Sequence, residues 1–127
     1  MPLVVDPAVT VEWAKPGADG YAAAVLAAVE REGLRVPEPW PSQVAELLST
    51  AEATALLALL SRLTIEVEAA ISPVAAVREG IAAAQRYGLP ARDAAYLELA
   101  AREGLKLATR DSTMRSAANR AGVTVFV

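Results

Sequence analysis

The chain has 127 residues, 54% of them apolar, and a formal net charge of −3. That suffices for one domain around one core, and the acidic balance means that a polyanionic partner must be held by local basic spots rather than by the overall field. With no cysteine and no histidine, a disulfide scaffold, thiol catalysis and an imidazole base are excluded.

The N-terminal stretch MPLVVD carries neither a basic region nor a long apolar run, so no signal peptide is expected. Every apolar helical stretch is interrupted by Arg or Glu before the roughly 18 residues of a membrane span. The expectation is a soluble, cytoplasmic protein without a membrane partner.

Leu3-Val4-Val5 reads as a short buried strand. Asp6-Pro7 follows, an acid suited to an N-cap before a proline suited to the first helical position. A short helix is predicted over 9–14, stopped by Pro16-Gly17. A second runs over 18–32, with Tyr21, Val25, Leu26 and Val29 on one face and Gly33 past its end. Leu34-Arg35-Val36 is the next strand. Pro39-Trp40-Pro41 opens a helix that points Val44, Leu47 and Leu48 inward. Ser49-Thr50-Ala51-Glu52 has the capping-box spacing, so a break is placed near Ser49 and another helix continues through Leu63. Residues 64–68 alternate as a strand with one wet face. Ser72-Pro73 opens a helix to Tyr87 and Leu89-Pro90 one to Glu103, each closed by glycine. A strand over 105–108, a helix over 111–121 and a last strand over 123–126 complete the chain. Strands alternating with helices imply an α/β fold, a three-layer α/β/α sandwich around a mostly parallel sheet, in one domain over 1–127.

Ligands of open parallel sheets sit beyond the carboxyl ends of the strands. Asp6 directly follows the first strand, Asp111 follows the strand over 105–108, and Asp93 lies in the first turn of the helix opened by Pro90. Each acid has two readings. It is either a cap or a favourable charge at its own helix start, or one of several carboxylates gathered into a site. Composition and periodicity do not separate the two.

The stretches VVDPAVTVEW, VPEPWPSQVAELL, GLPARDAAYLELAAREGLKLATRDSTM and AGVTVF together resemble the PIN-domain ribonucleases, in particular the small VapC-like toxins of toxin–antitoxin pairs. They occur in the family's order and span nearly the whole chain. The most specific is the combination of LPARDAAYLELA with LATRD. The resemblance implies a parallel α/β/α sandwich whose clustered acids bind Mg²⁺ or Mn²⁺ and hydrolyse RNA phosphodiesters. It assigns Asp6 as the first acid, Asp93 as the third and Asp111 as the fourth, with Thr109 as a supporting hydroxyl. The physical case is direct: crowded carboxylates repel, and a hard divalent ion with oxygen ligands relieves that repulsion and activates a bound water.

Three departures from the family pattern stand out. Gln43 occupies the place of the second acid, keeping the size but losing the charge. Glu46, three residues on, shares its helix face and is a substitute ligand. Ala8 replaces a serine that commonly supports the metal, with Thr10 as a nearby alternative. The turn before Ser49 is also shorter than usual, in a region that the family uses for dimer and antitoxin contacts.

Asp6, Gln43, Asp93 and Asp111 are therefore the candidate catalytic residues, with Asp6, Asp93, Asp111 and Glu46 as metal ligands. Arg92, Arg110 and Lys15 are the candidate RNA-binding cations, which read equally as solvated surface. Trp13, Trp40 and Tyr96 are assigned to packing. The leading expectation is a metal-dependent endoribonuclease with a cognate antitoxin and a homodimeric state. The alternative is a PIN-like binding module that has lost catalysis. A phosphoacceptor receiver domain ranks below both, because no acid pair follows the first strand.

Overall fold

A computed structural model describes residues 1–17, 20–69 and 72–127. The elements in order are β1 (Val4–Val5), α1 (Pro7–Glu12), α2 (Gly20–Glu32), β2 (Leu34–Val36), α3 (Trp40–Leu47), α4 (Thr50–Leu60), β3 (Ile65–Val67), α5 (Pro73–Tyr87), α6 (Ala91–Glu103), β4 (Leu107–Ala108) and α7 (Ser112–Arg120). The first two residues of the helix predicted over 18–32 lie outside the described residues.

The local signals explain most of these boundaries. Ser49 and Glu52 form the reciprocal capping box at the start of α4. Ser72 caps α5 through the Ala75 N–H at 3.1 Å. Gly88 and Gly104 close α5 and α6 with φ of 64° and 68°, a conformation that costs other residues more. Gly33 has φ 92° and joins α2 to β2 where a Cβ would meet the Thr64 carbonyl oxygen at 3.3 Å.

The structure departs from the sequence reading in several places. The first helix runs over Pro7–Glu12 rather than 9–14, because Asp6 caps it through the Val9 N–H. The strand over 105–108 shortens to β4 because the Leu105 N–H bonds the Ala100 carbonyl at 2.9 Å, so the close of α6 consumes it. The expected strand over 123–126 is reduced to a parallel bridge between Leu107 and Val125. It retains two ladder bonds to Leu107, from Phe126 N–H at 2.9 Å and to the Thr124 carbonyl at 3.0 Å. α4 ends at Leu60, after which Arg62 and Leu63 make tighter three-residue turns. Leu47 is 52% exposed rather than inward-facing, because Trp40 and Val44, one turn apart, take the inner face of α3.

Among the described residues all strand pairs are parallel. β1 pairs with β4 (Val4 with Leu107, Val5 with Ala108) and β2 with β3 (Leu34 with Ile65, Val36 with Val67). A parallel bridge from Leu3 to Leu34 joins the two pairs. The spatial order is thus β3, β2, β1, β4, then the segment around Val125. Right-handed crossovers place the helices that lead leftward (α1 to α4) on one face and those that lead rightward (α5 to α7) on the other. The packing agrees: α6 lies on β1 and β4 and touches α5 and α7, while α1 touches α2 and α3. This is the expected α/β/α sandwich.

The core is the sheet and its two helical covers. Val4, Val5, Leu107 and Ala108 are fully buried, as are Val25 from α2 and Leu97 from α6. At roughly 1.5–3 kcal/mol for each large apolar side chain, this burial is the main stabilising term. Among the described residues no helix is long and apolar enough to cross a membrane. Val74, Val77 and Ile81 form an exposed apolar stripe on α5.

Candidate active site

The strand order reverses between β1 and β4, where one connection leaves over one face and the next over the other. Such a point opens a crevice at the carboxyl edge of a parallel sheet. A cavity of about 290 Å³ lies there. It receives Asp6 from the end of β1 and Asp111 from just beyond β4, while Gln43 and Glu46 reach it from α3 and Asp93 and Tyr96 from α6. Arg92 and Arg110 also line it.

Asp6 is the most enclosed of these acids, 6% exposed. It caps α1, its Oδ1 accepting the Val9 N–H at 2.9 Å, and its Oδ2 accepts the Thr109 hydroxyl proton. Burial pushes its carboxyl above the ordinary value; the Thr109 and Val9 hydrogen bonds oppose that, and Asp111 and Asp93 add to it by repulsion. Asp111 caps α7, with Oδ1 accepting from Thr113 N–H at 2.8 Å and Met114 N–H at 3.1 Å. The Asp111 N–H in turn donates to the Thr109 hydroxyl oxygen at 3.1 Å. Asp93 sits in the first turn of α6. Burial raises its carboxyl, Asp111 adds to the rise, and Arg92 opposes it. Capping and clustering therefore coexist: two of the acids cap their helices, and all three border one cavity.

Thr109 lies between Asp6 and Asp111. It is fully buried and ties the two acid-bearing turns together. The Thr10 hydroxyl bonds the Asp6 backbone carbonyl at 2.9 Å, back along its own helix, and Thr10 stands outside the cavity lining. Lys15 is exposed and stands outside the cavity lining. Arg92 and Arg110 are gathered there. Arg110 is gripped by Glu12 through two hydrogen bonds of 2.7 and 3.0 Å. Its guanidinium also lies over the Tyr21 ring at 5.0 Å, and that of Arg115 lies 5.2 Å from the same ring centroid.

Tyr96 packs in the core as expected, 1% exposed, and its hydroxyl also donates to Gln43 Oε1. Burial and the nearby Asp6 and Asp93 raise its phenol, so it stays protonated. Its position three residues beyond Asp93, on one helix face, is the signal that would have placed it here. Trp40 is buried as expected, and the Trp13 indole N–H is spent on the Ala22 carbonyl at 3.0 Å.

The donor chemistry suits a hard divalent ion: burial and crowding raise the Asp6 and Asp93 carboxyls, and Asp111 Oδ2 and both Asp93 oxygens accept no hydrogen bond from the described residues. They are not drawn together into a finished ligand set. Among the described residues no group of three or more acids stands ready to hold a metal.

No protein-family model matches the sequence, and no curated protein matches it. Solved structures do. The chain superimposes on PAE2754 from Pyrobaculum aerophilum with a TM-score of 0.63 at 20% identity, covering 92% of this chain and 84% of that one. It superimposes on FitAcB from Neisseria gonorrhoeae with a TM-score of 0.60 at 23% identity, covering 98% of this chain and 96% of that one. The fold is PIN-like.

Proposed function

We propose that on this PIN-like fold the cavity is the active site of a Mg²⁺- or Mn²⁺-dependent endoribonuclease. The observation that carries the reading is the meeting of Asp6, Asp93 and Asp111, remote in sequence, at one cavity on the strand-reversal edge. Asp6, Asp93 and Asp111 would hold the ion, with Glu46 within the same cavity as a further carboxylate. When bound, the ion supplies an acidified water and charge neutralisation at a phosphate. The chain supplies the rest. Thr109 orients Asp6, the helix starts of α1 and α7 fix Asp6 and Asp111, and Arg92 and Arg110 offer cations to the RNA backbone.

The partners follow from the same reading: single-stranded RNA as substrate, a cognate antitoxin protein, and a homodimer. The likeness to FitAcB, which spans nearly the whole of both chains, supports a toxin-type assignment through the fold.

Gln43 and Ala8 favour a second reading, a PIN-like binding module without catalysis. One experiment separates them. Mn²⁺ binding is measured by calorimetry and cleavage is followed on single-stranded RNA, for the natural chain and for Asp6→Asn and Asp93→Asn. Metal-dependent cleavage that both substitutions abolish supports the enzyme. A natural chain that takes up no Mn²⁺ at millimolar concentration leaves the binding module.

A further inference from the structure

The amide of Gln43 has two ends, and the fold spends one of them. The Tyr96 hydroxyl donates to Gln43 Oε1, and Tyr96 is only 1% exposed, so that anchor is fixed within the core. The amide nitrogen has no hydrogen-bond partner among the described residues. The reverse orientation is unfavourable on simple grounds. It would turn the amide oxygen, an acceptor, toward a cavity bordered by Asp6, Asp93, Asp111 and Glu46, all acceptors when ionised. It would also leave the Tyr96 proton without Oε1 to receive it.

Resting on the nuclease reading, we infer that Gln43 presents its amide nitrogen to the cavity and binds a phosphate oxygen of the RNA as a hydrogen-bond donor, leaving the divalent ion to the carboxylates. The position where the resemblance places the second acid thus serves the substrate rather than the metal. Tyr96 is its positioning residue, and the cavity combines an acidic wall for a cation with Gln43, Arg92 and Arg110 for the anion.

The test separates metal uptake from RNA uptake. Mn²⁺ alone is titrated into the natural chain and Gln43→Met by calorimetry. A labelled single-stranded RNA oligonucleotide is then titrated by fluorescence anisotropy in Ca²⁺. The expected result is an unchanged Mn²⁺ dissociation constant and an RNA dissociation constant raised about tenfold, the cost of losing one hydrogen bond to a charged group. A Mn²⁺ constant weakened about tenfold, as loss of a ligand would give, or an RNA constant that does not move, overturns the assignment of Gln43 and leaves the nuclease reading standing. If Gln43→Met fails to fold, Tyr96→Phe carries the same comparison: the unpinned amide weakens RNA binding without weakening Mn²⁺ uptake. A natural chain that takes up no Mn²⁺ ends both readings together.

Discussion

The hydroxyl of Thr109 donates its proton to Asp6 Oδ2 while its oxygen accepts the Asp111 N–H at 3.1 Å. One buried side chain thereby sets the separation of two acids 105 positions apart in sequence, at the ends of adjacent parallel strands. Thr109→Val keeps the shape and removes both bonds. The expected cost is about 1–3 kcal/mol of stability, since a buried carboxylate loses a donor, with Mn²⁺ affinity falling about 10- to 100-fold. Thr109→Ser restores most of both. Thermal melting and calorimetry read the two effects, and a Val variant that binds Mn²⁺ normally would falsify this role.

Asp6 is expected to trade stability for function. Its folded-state carboxyl is raised above the ordinary 3.8. A raised acid means that the folded chain holds its proton while the unfolded chain has released it. Stability from this group is therefore intact at acid pH, falls as pH rises through and above the ordinary value, and stays low at neutral pH. Asp6→Asn, which keeps an acceptor for the Val9 N–H on its oxygen and turns an amide N–H toward the Thr109 hydroxyl oxygen, should melt higher than the natural chain at pH 7. That advantage should shrink toward pH 4, and Mn²⁺ should raise the melting point of the natural chain alone. An Asn variant less stable at pH 7 contradicts the assignment.

The cations divide by place. Arg110 and Arg92 border the cavity and Lys15 does not. Arg110→Ala or Arg92→Ala should weaken RNA binding at low salt and reduce the slope of log affinity against log salt by about one unit, the mark of one lost phosphate contact. Lys15→Ala should leave both unchanged. Glu12→Gln, which loosens the grip on Arg110, should change stability by no more than about 1 kcal/mol, because the pair is partly solvated. Anisotropy titrations over a salt series decide among these.

Gly33→Ala tests a backbone requirement rather than the site. With φ at 92° and the Thr64 carbonyl oxygen 3.3 Å from the added Cβ, a loss of at least about 1–2 kcal/mol is expected. RNA cleavage at a temperature where the variant remains folded should be unaffected. Denaturant unfolding measures the loss.

The architecture was legible because its signals are local: Asp6-Pro7, Ser49 with Glu52, Ser72-Pro73 and the glycines after two long helices announce their own boundaries. The shortened strands were not. Their lengths depend on which partner claims each backbone group, as when Ala100 takes the Leu105 N–H. The same divide runs through the site. The order of the acids along the chain told which strand ends they follow, but not that capping and clustering are compatible. That depends on a carboxylate having lone pairs enough for both. Tyr96 and Gln43 meet across 53 residues, and no periodicity reports such an encounter. Thr10 and Lys15 show the converse: nearness in sequence to Asp6 places neither side chain in the cavity lining.

The reversal of strand order between β1 and β4 has a consequence for how this protein can change. The gap at that seam arises from chain routing, with the packed interior intact beneath it. Residues on its rim can be exchanged without repacking the interior, so the scaffold tolerates conversion of its chemistry one position at a time. Gln43, which borders that seam, is a position where such an exchange leaves the interior untouched.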